Sequence, residues 1–190
     1  MINMKTKIVL VCSLLLVLGN MVTAQENTKT IADKYGRTLN VGLGVGYYGY
    51  AGHSMPVLHA DYEIDVAKNF TLAPFISFFS YRNDYYYNNN NSYYYHETVV
   101  PIGLKGSYYF DDLLKASANW DFYLAGSLGF AFRTTSWENG YNGDRNAYNG
   151  ASPLFLDFHI GTEYHFNKKL GAFLDLSTGV STVGLAIHSL

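Results

Sequence analysis

Alternate residues of the stretch Trp120 to Thr134 fall into two sets. Trp120, Phe122, Leu124, Gly126, Leu128, Phe130 and Phe132 form one; Asp121, Tyr123, Ala125, Ser127, Gly129, Ala131 and Arg133 form the other. A strand turns successive side chains to opposite faces, so one large apolar set and one small or polar set predict a two-faced strand. An ordinary strand has about 5–6 residues. A tilted membrane strand needs about 9–11 in the hydrocarbon, with extensions beyond it, and this stretch suits the second case.

The same period recurs along the chain. Thr38 to Tyr50 places Leu39, Val41, Leu43, Val45 and Tyr47 on one face and Asn40, Gly42, Gly44, Gly46 and Tyr48 on the other. The second strand sets Leu58, Ala60, Tyr62, Ile64 and Val66 against His59, Asp61, Glu63 and Asp65. The third runs from Phe70 to about Arg82, with a bulge or local break expected at Pro74, which has no N–H for a ladder. The fourth is His96 to Phe110, the fifth is the stretch above, and the sixth alternates around Leu154 to Phe166. Leu170 to Ser177 and Thr182 to Ser189 complete eight strands. Their connections alternate between tight turns (Ala67 to Asn69, Asn167 to Lys169) and longer loops, notably Asn83 to Tyr95 and Ser136 to Gly150. Short turns on one side and longer loops on the other mark an outer-membrane barrel, with both termini on the periplasmic side.

Period alone does not say which face is outside, because a soluble eight-stranded barrel alternates with its apolar face inward. Crowding decides it. Phe, Tyr, Leu and Ile on the apolar faces of eight strands overfill so narrow a barrel, whereas Gly, Ala, Ser and scattered charges fit it. Aromatics near strand ends, among them Tyr47, Phe78, Tyr108, Trp120, Phe130 and Phe166, match interfacial girdles.

Composition agrees. Of the 190 residues 17% are aromatic and 15% charged, with 18 Gly, which favours strands and turns over helices. A net charge of −2 and the lack of a long basic run leave no electrostatic footprint for nucleic acid. Lys5 and Lys7, the apolar run Ile8 to Gly19 and Val22-Thr23-Ala24 read as a secretory signal peptide, residues 1–24, cleaved before Gln25. Residues 25–37 read as a polar periplasmic lead and 38–190 as the barrel. The one cysteine, Cys12, lies in the leader, so the mature chain has no disulfide.

The leader, the eight dyad strands and the turn asymmetry resemble small eight-stranded outer-membrane barrel proteins of the OmpA and OmpX type. The resemblance implies an all-β, eight-stranded antiparallel up-and-down transmembrane β-barrel in the outer membrane of a Gram-negative bacterium. One feature departs from the family: its usual terminal aromatic residue is Leu190 here, out of step with Val183, Leu185 and Ile187.

Several groups are candidates for chemistry. The inward set carries Asp61, Glu63, Asp65, Glu97, Asp121, Asp157, Glu163 and Asp175 against Lys105 and Arg133, with Arg82 a further candidate. His59, His159, His165 and His188 share that side. Buried carboxylates must be paired, hydrated or protonated, so a polar lumen network is expected, with a narrow proton, cation or small-solute path as its alternative. Pairing Tyr50 with Val57 sets Asp61 opposite Gly46, Glu63 opposite Gly44 and Asp65 opposite Gly42, so that glycines make room for acids. Pairing Phe110 with Trp120 sets Glu97 opposite Arg133 as an ion pair in the outer mouth, and Tyr109 opposite Asp121.

His159, Glu163 and His165 sit on successive rungs rather than in a compact cluster, so no metal site and no cofactor are expected. His53-Ser54 and Asp84 are the residues that a lipid A-modifying enzyme would draw on, but no spacing fixes a triad and no catalytic residue is assigned. Tyr85, Tyr86, Tyr87, Tyr93, Tyr94 and Tyr95 flank four Asn, a composition suited to surface recognition. The alternative for them is strand extension with Tyr at the lipid headgroups. The expected role is therefore non-enzymatic: structural or interactive at the cell surface, with outer-membrane lipids and a protein partner or assembly in contact.

Overall fold

The computed structural model describes residues 35–47, 54–87, 91–114, 116–141, 143–145, 150–151 and 154–189. The strands are β1 (Thr38–Tyr47), β2 (Ser54–Ala67), β3 (Phe70–Tyr87), β4 (Asn91–Tyr109), β5 (Trp120–Trp137), β6 (Gly150–Ala151), β7 (Phe155–Asn167), β8 (Leu170–Ser177) and β9 (Val180–His188). One helical turn, α1 (Asp111–Leu114), leads towards β5. Each long strand pairs antiparallel with the next, and β1 pairs with β9 from Thr38↔His188 to Gly46↔Val180. That last ladder closes eight long strands into a barrel; the two-residue β6 only flanks β5 at Phe132 and Arg133. Among the described residues no helix is long and apolar enough to cross a membrane.

The faces are those the alternation predicts. Leu43 (64% exposed), Leu58 (55%), Leu128 (45%), Phe158 (61%) and Val183 (57%) point outward. Asp61, Glu63, Lys105, Asp121, Glu163 and Asp175 are buried within. A barrel wall that is apolar outside and charged inside suits lipid and not water, and each of the eight long strands pairs with a neighbour on both sides within that wall. At the terminus end, where β1 begins and β9 ends, Trp120 contacts Tyr164 (4.9 Å between centroids) and Phe122 (6.1 Å) on the outer face, as an interfacial girdle would.

Strand lengths are unequal, and this shapes the other end. β1, β8 and β9 have 10, 8 and 9 residues, whereas β3, β4 and β5 have 18, 19 and 18. Along these three the outward residues change from Phe78, Ile102, Phe130 and Phe132 to two polar rungs, Ser80–Thr98–Thr134 and Arg82–His96–Ser136. Apolar surface ends there, and the three strands continue past the apolar band as a tongue. From Ser80 to Tyr87 the tongue runs about 25 Å along the strand. Most of the low-complexity segment expected as a loop is therefore hairpin, with Asp84↔Tyr94 and Tyr87↔Asn91 in register. Pro74 holds its register against Leu104; towards β2 the ladder skips its position, and the register shift falls at Asp65/Ala67.

Two predicted registers are corrected. β1 and β2 pair Asn40↔Asp61, Thr38↔Glu63 and Gly42↔His59, six residues from the expected pairing. β4 and β5 pair Tyr109↔Tyr123, Val99↔Arg133 and Glu97↔Thr135, two residues away. Both shifts are even. An odd slip would turn every side chain to the wrong face, whereas an even one costs the apolar pattern nothing, so periodicity cannot detect it.

Candidate functional site

The lumen is the densest concentration of chemistry, and Lys105 on β4 is its centre. The Lys105 Nζ lies 2.9 Å from Asp61 Oδ2 and 3.7 Å from Asp175 Oδ2, with all three side chains no more than 4% exposed. Asp61 also accepts from Asn40 Nδ2 (2.9 Å) and sits 2.9 Å from His59 Nε2. Asp175 accepts from the Tyr123 hydroxyl (2.9 Å) and sits 2.7 Å from His159 Nδ1. Glu63, one rung nearer the termini, accepts from Tyr109 Oη (2.7 Å), Thr71 Oγ1 (2.8 Å) and Asn40 Nδ2 (3.1 Å). Charges this deep are tolerated because nearly every lone pair meets a donor.

Below this network the lumen is closed by aromatic rings. Tyr35 stacks on Tyr109 at 3.9 Å and donates its hydroxyl to Asp111 (2.7 Å); Tyr109 lies 5.4 Å from Tyr123, whose ring faces Lys105. Tyr35 precedes the first strand and has no periodic signal, so the sequence could not place it. Above the network a small cavity of about 20 Å³, room for about one water, is lined by His59, Ser77, Lys105, Ser127, His159 and Thr182, among others. Tyr109, Tyr123 and Glu63 fill the lumen between that cavity and the terminus end.

Gly42, foreseen as room for an acid, lies against a bulky ring instead. A Cβ on Gly42 would lie 2.9 Å from Phe173 Cζ, and one on Gly184 2.8 Å from Phe173 Cε1. A Cβ on Gly161 would collide with the Tyr123 ring.

At the loop-side mouth Arg133 Nη1 meets Glu97 Oε1 at 3.2 Å, the predicted ion pair, despite the two-residue register difference. Diagonal neighbours across a ladder remain within reach of a long side chain. With Arg133 27% exposed, the pair contributes about 0–1 kcal/mol. Tyr81 lies at a height where the outward neighbours are already Ser80 and Arg82. Burial, and then its hydrogen bond to Glu97, raise its phenol well above the ordinary value. Inside this mouth Val57, Phe79, Tyr81, Val99 and Ala131 form an apolar cluster, so the lumen is not polar throughout. Arg82 is not a lumen residue: its guanidinium lies 3.6 Å over the Tyr94 ring, outside the barrel.

On the tongue Tyr95 packs against Trp137 (4.8 Å), Trp137 stacks on Tyr141 (3.9 Å, 8°), and Tyr93 meets Tyr141 edge-on (5.5 Å). Trp137 Nε1 donates to the Arg145 carbonyl at 3.0 Å. The side chains of Tyr85, Tyr86, Tyr87, Ser54 and Asp84, and all of His53, lie outside the described residues.

The remaining predicted lumen residues separate into two groups. Asp157 accepts from Ser177 Oγ (2.9 Å), Thr178 Oγ1 and the Val180 N–H (3.2 Å), which pins the short β8–β9 turn; His159 stays beside it. Asp121, Glu163 and His165 gather at the terminus end with His188 of β9. Ligand atoms of Glu163, His165 and His188 lie within 4.8 Å of one another.

The class defined by this architecture is a closed eight-stranded antiparallel barrel with a lipid-compatible exterior and a filled polar lumen. Among solved structures the chain is similar to the N-terminal β-barrel domain of Pseudomonas aeruginosa OprF, with 15% identity and a TM-score of 0.45 over 80% of this chain and 96% of that one. It is also similar to Ail, the attachment invasion locus protein of Yersinia pestis, in complex with the heparin analogue sucrose octasulfate. There the identity is 9% and the TM-score 0.43 over 79% of this chain and 94% of that one. No protein-family model matches the sequence, and no curated protein matches it.

Proposed function

We propose that the protein is a non-enzymatic barrel of the outer membrane of a Gram-negative bacterium that acts by contact at the cell surface, alone or as a subunit of a larger assembly. The observation that carries this reading is the tongue. Residues 80–87 of β3, 91–98 of β4 and 134–137 of β5 extend past the apolar band, and with Tyr141 they hold a packed Tyr93, Tyr95, Trp137 and Tyr141 cluster there. Tyr95 and Tyr141 are buried and brace the cluster, while Tyr93 and Trp137 stay half-exposed, and Tyr and Trp give large contact area at low conformational cost, which suits recognition. Conduction is the second reading, and the charged side chains that line the lumen favour it. Against it stand Lys105 with its two acids and the Tyr35–Tyr109–Tyr123 stack, which fill the lumen below.

One preparation tests both. The purified barrel in planar bilayers is expected to give no conductance steps above baseline; steps of defined size would favour the channel. Tagged chain extracted from membranes in mild detergent is expected to retain a defined partner. A Trp137→Ala, Tyr141→Ala variant is expected to lose it, and equal recovery with both chains would remove the tongue from the account.

A further inference from the structure

We propose that Glu163, His165 and His188 form a binding site for one divalent transition-metal ion of the zinc class at the terminus-end mouth of the barrel. The inference starts from hydrogen-bond inventory. Thr38 Oγ1 donates its one proton to the Tyr35 carbonyl (2.9 Å), so towards His188 Nδ1, 2.8 Å away, it can only accept. His188 Nδ1 therefore carries a proton, which leaves its Nε2 facing Glu163 Oε1 at 2.6 Å, a separation that needs a positive centre, a second proton or a metal ion, between them. His165 Nε2 lies 2.8 Å from the Asp121 carboxylate, which also only accepts, so its Nε2 carries the proton. Its Nδ1 then faces the same Glu163 oxygen at 3.5 Å.

Two imidazole nitrogens and a carboxylate oxygen thus lie within 4.8 Å of one another. Acceptors so close repel unless something positive lies between them. The outer nitrogen of each ring is already anchored, on Asp121 and on Thr38, which is the second-shell arrangement that orients metal-bound histidines. Gly171 leaves the space, since a Cβ there would collide with Glu163 Oε1. Two imidazoles and one carboxylate are a donor set for zinc and its neighbours, not for calcium or magnesium, which take oxygen ligands. A cleft lined by Asn119, Asp121, His165 and Lys168 leaves access for water at a remaining position. The ligands come from β7 and β9 and their anchors from β5 and β1, so a bound ion would tie β7 to β9 across β8, beside the seam where the first and last strands meet.

The test uses the folded, full-length barrel in detergent, stripped with chelator and equilibrated with zinc chloride. One zinc per chain is expected by mass spectrometry of the metal, and a higher unfolding temperature with zinc than after chelation. His188→Ala and Glu163→Gln are each expected to weaken binding at least tenfold. Asp121→Asn, which touches only the anchor of His165, is expected to weaken it about 10-fold. His96→Ala, an exposed histidine at the opposite end, should change nothing. Folding of each variant is checked by its heat-modifiable mobility; should Glu163→Gln not fold, His165→Gln takes its place. No zinc bound by the wild type, or equal affinity in wild type and the His188→Ala variant, would overturn the site and leave a shared proton as the positive charge between these groups.

Discussion

Lys105→Met is expected to destabilise the folded barrel by about 3–5 kcal/mol, the cost of leaving a buried charge without its partner. Methionine nearly conserves the volume, so the loss would be electrostatic rather than a cavity. Asp61 would keep Asn40 and His59, and Asp175 would keep Tyr123 and His159, but the one ammonium reaching both carboxylates would be gone. Denaturant titration of the barrel in micelles measures the effect. Adding Asp61→Asn to Lys105→Met is expected to recover a large part of the loss, because it removes the charge left stranded. An unchanged midpoint in Lys105→Met would show that the ammonium makes no net contribution, and the lumen network would then need another centre.

Leu128→Arg is expected to cost about 2–4 kcal/mol of stability in lipid, the penalty for a cation on the lipid face near the bilayer midplane. Leu128 is 45% exposed, pairs with Leu104 and Leu156 on the neighbouring strands, and lies midway along the outward apolar residues of β5. Thr134→Arg is the comparison: same strand, same face, but beyond the apolar band, where about 0–1 kcal/mol is expected. Folding into vesicles followed by urea unfolding separates the two. Equal costs at both positions would mean that the outward band does not meet hydrocarbon.

Much of this molecule is legible in its sequence, and the illegible parts share one physical cause. Alternation fixes which face a residue takes, so Asp61, Glu63, Lys105, Asp157 and Glu163 could be placed in the lumen, and Leu58, Phe130 and Val183 outside. It carries no information about sliding a strand by an even number of residues. The β1–β2 pairing therefore moved by six residues and the β4–β5 pairing by two without exposing one core residue. Glu97 and Arg133 met regardless because arginine spans the diagonal. The gathering of Glu163 and His165 with His188 could not be foreseen from alternation, since it depends on the registers of two successive hairpins across β8. The sequence trace of it is Gly171, an inward position without a side chain on the intervening strand. Tyr35 was invisible because a residue held by stacking outside any strand leaves no period. The tongue was half visible: Tyr and Asn marked the segment, but a hairpin of polar outward residues does not show the apolar alternation that identifies the strands below it.

The central claim is that the even-numbered face of β5 meets lipid while the odd-numbered face is sealed within a filled lumen. A single-cysteine scan through residues 122–134, in a chain whose one native cysteine, Cys12, is replaced, tests it directly. Spin labels in lipid vesicles should alternate strictly, with Leu124, Gly126, Leu128 and Phe130 accessible to lipid-dissolved oxygen and Tyr123, Ala125, Ser127 and Gly129 protected from it. At Thr134 the outward position should switch to access by a water-soluble quencher. The opposite phase, or accessibility to the water-soluble quencher at the odd positions throughout, would contradict the account.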